Sequence, residues 1–117
     1  MNRVLIIEDD VEIGNVLVDL ISDVAEVKFV STRNQIEDLL KVENFDYILA
    51  DYYLEKDNSL SIIRDLNISP SKYDILLMSA HPTDKMLEEA SVLGIKKFLP
   101  KPLKIDFLLK EVSKPRL

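Results

Sequence analysis

The 117-residue chain contains no cysteine, a single histidine and two glycines. The lack of cysteine excludes a disulfide scaffold, a thiolate zinc site and a cysteine nucleophile. With His81 alone, a multi-histidine metal site is excluded too. No apolar run approaches the roughly 20 residues that a membrane helix needs. The opening MNRVLIIEDD does not read as a signal peptide, because its apolar stretch is short and ends in acid. Positive charge is in deficit: 15 Lys and Arg stand against 21 Asp and Glu, a formal charge of −6. A domain of that sign repels a nucleic-acid backbone, so neither direct nucleic-acid binding nor a membrane is expected, and the cytoplasm is the default compartment. What is present is an ordinary globular balance of 47% apolar and 31% charged residues. A chain of this length reads as one domain over residues 1–117, burying about two thirds of its unfolded surface.

Five short apolar runs alternate with five helical patterns. Val4 to Ile7 is a run of four branched aliphatics, suited to a strand covered on both faces. Ile13, Val16, Leu17, Leu20, Ile21 and Val24 then repeat at helical spacing. Further strands are expected at Glu26 to Val30, Tyr47 to Ala50, Ile75 to Met78 and Ile95 to Leu99. Thr32 and Gln35 have capping-box spacing ahead of a second helix. Asn58 or Ser59 suits the cap of a third, Thr83 that of a fourth, and Ile105 to Val112 carries a fifth. Gly94 stands where a left-handed helix end is wanted. Strict alternation of this kind implies an α/β fold, a doubly wound five-stranded parallel sheet in the flavodoxin-like (βα)5 order 2-1-3-4-5. Pro100 fits the end of an edge strand.

In such a sheet the residues just past every strand share one rim, beside the switch point where ligands bind. Here they are Glu8, Asp9 and Asp10 after the first strand, Asp51 after the third, Ser79 and Ala80 after the fourth, and Lys101 and Pro102 after the fifth. Two unit charges about 4 Å apart repel by roughly 4 kcal/mol at an effective dielectric near 20, so crowded carboxylates invite a divalent cation. Oxygen ligands without sulfur or imidazole suit Mg²⁺. Asp51 then stands as a nucleophile able to form an acyl phosphate, with Lys101 and Ser79 neutralising the phosphoryl oxygens. Asp10 reads instead as the cap of the first helix.

At these positions the sequence resembles the receiver domain of two-component response regulators, over essentially its whole length. The motifs are Glu8-Asp9, Asp51 in YILADYYLE, Ser79-Ala80 in ILLMSAH, and Lys101-Pro102 in KKFLPKP. The resemblance implies phosphorylation of Asp51 by a histidine kinase or phosphotransfer protein. It implies Mg²⁺ held by Glu8, Asp9, Asp51 and the backbone carbonyl of Tyr53. Ser79 becomes the switch hydroxyl, Phe98 the switch aromatic, and Lys101–Pro102 a cis peptide. The output face is the fourth helix, fifth strand and fifth helix, meeting a downstream protein, an output domain or, once phosphorylated, a second copy. Enzymatic activity is limited to Mg²⁺-dependent self-phosphorylation and slow self-dephosphorylation. The sequence departs from the pattern at Glu55, often proline, and Ser59, often glycine, so the loop from Asp51 to Ser59 has no glycine. Pro100 beside Lys101 is also unusual. Tyr53 and His81 each lie two residues beyond a functional position, where their rings can border the phosphoryl group.

Three other readings compete. A haloacid-dehalogenase-like phosphohydrolase needs an aspartate at the position of Tyr53. Flavin binding needs a Ser/Thr/Gly-rich phosphate loop where EDDVEI is acidic. A phosphorylation-independent interaction module is opposed by the intact residue set and kept open by the altered loop. The end of the chain just past the fifth helix suits a stand-alone receiver and equally the receiver part of a longer regulator.

Overall fold

The computed structural model describes residues 1–115; Arg116 and Leu117, within the tail expected after the fifth helix, lie outside the described residues. Strands and helices alternate as β1 (Arg3–Ile7), α1 (Val11–Ile21), β2 (Glu26–Val30), α2 (Arg33–Val42), β3 (Tyr47–Asp51), α3 (Ser59–Asp65), β4 (Asp74–Ser79), α4 (Asp84–Val92), β5 (Lys97–Pro100) and α5 (Ile105–Val112). The five strands pair in parallel in the order β2-β1-β3-β4-β5, as the alternation required. A two-stranded antiparallel hairpin, Tyr53–Leu54 with Asp57–Asn58, interrupts the β3–α3 connection and was not expected.

Successive strand side chains point to opposite faces, so each strand feeds two cores. Leu5, Ile7, Ile48, Ala50, Ile75 and Leu77 pack under α2, α3 and α4, against Ile36, Leu60, Ile63, Met86 and Ala90. Val4, Ile6, Tyr47, Leu49, Leu76 and Met78 pack under α1 and α5, against Leu17, Ile21, Leu108 and Val112. Each fully buried aliphatic contributes about 1.5–3 kcal/mol of transfer free energy. These layers hold the rim that follows.

The helix ends obey local chemistry. Asp10 accepts the amides of Glu12 and Ile13, Thr32 and Gln35 form a reciprocal capping box, and Asn58 and Thr83 cap α3 and α4. α4 closes with Ile95 N–H on the Ala90 carbonyl and Gly94 N–H on that of Ser91, with φ of +88° at Gly94. α3 closes in the same way, with Asn67 at φ +53° in the glycine position. Ile95 therefore belongs to a helix end, and β5 begins two residues later than expected and reaches Pro100. Lys101 N–H bonds inward to the Ser79 carbonyl, so the absent N–H of Pro100 falls on the open edge.

The expected stripe of α1 is shifted. Leu17 and Ile21 are buried, but Ile13 and Val16 face outward, and Gly14 completes the inner face. The ring of Phe29 on β2 lies across it: a Cβ at position 14 would sit 2.3 Å from Phe29 Cζ. Gly to Ala in a helix interior normally gains about 1 kcal/mol. Here Gly14→Ala should lower the urea unfolding midpoint, and in a Phe29→Leu background the same change should raise it. Stabilisation in both backgrounds would show that the ring yields freely.

Candidate functional site

The sheet register sets the site. Ile7, Ala50, Leu77 and Phe98 lie in one row across β1, β3, β4 and β5, so Glu8 and Asp51 emerge side by side from the next. Asp51 is the last residue of β3 and only 7% exposed. Its Oδ2 accepts from Lys101 Nζ at 2.7 Å. The Lys101–Pro102 peptide is cis. Ser79 ends β4, fully buried, and its Oγ accepts the His81 amide at 3.2 Å.

Glu8 is 1% exposed. Its Oε1 accepts the Asp10 amide at 3.1 Å, while Oε2 is buried without a hydrogen-bond partner. Burial, and then the neighbouring Asp51 carboxylate, push its carboxyl from 4.5 up to about 8. Asp9 lies beside it, and its Oδ2 accepts the backbone amide of Glu55 at the hairpin tip. Tyr53 begins the hairpin, with its exposed ring edge-on to that of Tyr52 at 4.7 Å between centroids. His81 is exposed at the start of the β4–α4 loop. Phe98 is half-buried and borders a cavity of about 250 Å³ shared with Leu99, Pro102, Phe107 and Leu108.

Two participants were not legible beforehand. Ser59, noted as replacing glycine and as one of two candidate caps of the third helix, is fully buried, donates its hydroxyl to the Asp51 carbonyl and its amide to that of Tyr52 at 3.0 Å. Arg33, at the start of α2, ties down the returning hairpin strand through Asp57 at 2.5 Å and the end of α3 through Asp65 at 2.9 Å. Lys97 is an exposed lysine of β5 whose Nζ pairs at 2.5 Å with the buried Glu111 of α5.

The donor set suits a hard divalent cation. It is all oxygen, it carries excess negative charge, and the Glu8 Oε2 lone pairs have no other partner. Among the described residues, no three acidic or histidine side chains form a finished metal cage.

The raised Glu8 carboxyl has a consequence for stability. The folded chain keeps its proton to about 8, whereas the ordinary carboxyl releases it at 4.5. Its contribution is therefore full below the lower value and is lost as pH rises through the upper one. In metal-free buffer, Glu8→Gln should leave the unfolding midpoint unchanged near about pH 5 and raise it near about pH 9, by roughly 3–6 °C for each kcal/mol of relieved charge. Equal midpoints at the higher pH would contradict this.

Comparison with known proteins agrees with the geometry. The family model described as "Response regulator receiver domain" matches residues 4–113. Transcriptional regulatory protein FlgR of Helicobacter pylori is 25% identical over 115 residues, covering 97% of this chain and 29% of that protein. The probable C4-dicarboxylate response regulator DctR of Bacillus subtilis is 24% identical, covering 96% of this chain and 51% of that one. The chain thus spans about half or less of these relatives. Among solved structures, the chemotaxis protein CheY4 of Vibrio cholerae shares the fold at a TM-score of 0.84, with 20% identity and 97% of each chain covered. A CheY-like receiver domain protein of Methanospirillum hungatei superposes at 0.86, with 17% identity and coverage of 97% and 91%. Because the family match runs unbroken from the first strand to the end of the fifth helix, the chain belongs to the response regulator receiver domains of two-component systems.

Proposed function

We propose that the domain is a phosphorylation-dependent switch in which Asp51 accepts a phosphoryl group from a histidine kinase or a phosphotransfer protein. The supporting observation is the 2.7 Å contact between Lys101 Nζ and Asp51 Oδ2, which sets an ammonium beside a nearly buried carboxylate at a strand end. A carboxylate oxygen attacks phosphorus in line, the phosphorus–nitrogen bond to the donor imidazole breaks, and the imidazole leaves with the electron pair. Lys101 is placed to follow the charge from the carboxylate onto a phosphoryl oxygen. The Ser79 hydroxyl, whose oxygen already accepts from His81, keeps its own proton to donate to another. Glu8, Asp9, Asp51 and the Tyr53 carbonyl are the groups that would hold Mg²⁺, which when bound supplies the positive charge that this rim lacks. Water later cleaves the acyl phosphate slowly, and this is the extent of the domain's enzymology.

Phosphorylation adds nearly two negative charges at Asp51. Movement of Ser79 toward them frees the space that Phe98 can enter, and the α4–β5–α5 face changes with it. Leu87, Val92 and Phe107 are exposed apolar side chains on the two helices of that face, in keeping with a docking role. The longer transcriptional regulators to which the chain is similar support an output domain or a separate downstream protein as recipient, and a second phosphorylated copy fits the same face. The cytoplasm, where such kinases deliver phosphoryl groups, is the compartment of this reading.

Incubation with acetyl phosphate and Mg²⁺ should add one phosphoryl group by intact mass, and Asp51→Asn should abolish it. Lys101→Ala should slow the reaction by roughly 10²-fold. Equal labelling of Asp51→Asn would overturn the assignment. Replacing Tyr53 and His81 together with serine should hasten loss of the phosphoryl group in the same buffer. An unchanged lifetime would remove any shielding by these rings.

A further inference from the structure

The hairpin between β3 and α3 bears directly on Asp9. Its two strands leave Glu55 and Lys56 as the turn. Neither has a positive φ, since Asn67 is the only described non-glycine residue that does. No left-handed backbone therefore stands against proline at the turn's first position. Proline there would have no N–H. Glutamate has one, and it donates to Asp9 Oδ2.

The contact occupies one oxygen of the Asp9 carboxylate. Asp9 borders a cavity of about 420 Å³ between the hairpin and the start of α2, shared with Ser31, Arg33, Leu54 and Asp57. Glu8 lines a different opening, with Lys101, Met78 and Leu103. Arg33 holds the hairpin in this position through Asp57, and Ser59 fixes the base of the loop. The two acids that adjoin in sequence stay close to each other but border different openings, and among the described residues no three acidic or histidine side chains are arranged to hold a metal.

We infer that the Glu55 backbone amide is a latch on Asp9: it draws on the charge of a carboxylate that a divalent cation would also use, so cation binding weakens this bond and loosens the hairpin tip. The inference rests on the cation reading above and deepens it. It makes Glu55 a positioning residue whose amide, not its side chain, sets the resting affinity of the site. It also makes the hairpin an element that responds to the cation before any phosphoryl group arrives.

Glu55→Pro removes the amide proton and the side-chain charge, whereas Glu55→Ala removes only the charge. Titration with Mg²⁺ alone, followed by tyrosine fluorescence, should give a dissociation constant roughly tenfold lower for the proline variant than for the alanine variant, as loss of one charge-assisted competitor implies. In the unaltered chain, the Glu55 amide proton should be shifted downfield and protected from exchange without Mg²⁺, and should lose both properties at saturation. Equal dissociation constants for the two variants would overturn the latch, as would a Glu55 amide unchanged by saturating Mg²⁺. The amide measurement decides the matter by itself if the proline variant fails to fold. Absence of Mg²⁺ binding by all three proteins would instead overturn the cation reading, and the latch with it.

Discussion

The rim is governed by an imbalance of charge. Three carboxylates, Glu8, Asp9 and Asp51, emerge near one another, and a single ammonium, Lys101, reaches one of them. Repulsion between unit charges this close is of the order of several kcal/mol in a medium less polarisable than water. The folded chain disperses it in three ways. Asp51 takes the ammonium, Glu8 retains a proton that an ordinary carboxyl would have lost, and Asp9 turns onto a backbone amide. The site therefore stands ready for positive charge in a way that a neutralised site would not.

Holding such an arrangement requires a frame that does not give way. β3 is buried along its full length, and β4 nearly so, because helices cover both faces of the parallel sheet. Aliphatic layers above and below leave the chain no means of spreading the acids apart. The register that aligns Ile7 with Ala50 and Ala50 with Leu77 is fixed by which side chains must enter which core; a slip of one residue would exchange the two faces. Adjustment is left to the loops beyond the strands, where Glu55, His81 and Pro102 lie.

What was legible in the sequence follows from this division. Strand order, helix caps and the rim positions of Glu8, Asp51, Ser79 and Lys101 depend on periodicities and end signals that are local in the chain, and these survive folding unchanged. The α1 face was misplaced because hydrophobicity alone chose Ile13 and Val16, whereas the buried position is Gly14, selected by a ring on β2 that only the tertiary structure brings there. Lys97 is an exposed lysine, but its pairing with Glu111 was not legible because that acid lies on another element and is itself buried. Ser59 and Arg33 escaped for a similar reason. A hydroxyl that bonds a carbonyl eight residues back, or a guanidinium that bridges two acids, leaves no spacing pattern to read.

The glycine-free loop from Asp51 to Ser59 shows how these non-local contacts substitute for local freedom. A glycine grants a turn any φ it needs; without one, the chain must make its reversal with ordinary backbone and then hold it. It does so with a hairpin of negative φ, an arginine clamp on the returning strand, and a serine hydroxyl that satisfies the Asp51 carbonyl where a glycine has no side chain to offer. The same solution leaves the Glu55 amide in need of an acceptor. The amide bonds to the carboxylate of Asp9, the second acid after β1. Loop conformation and site electrostatics are thus two aspects of one arrangement, and a change made to either is felt in the other.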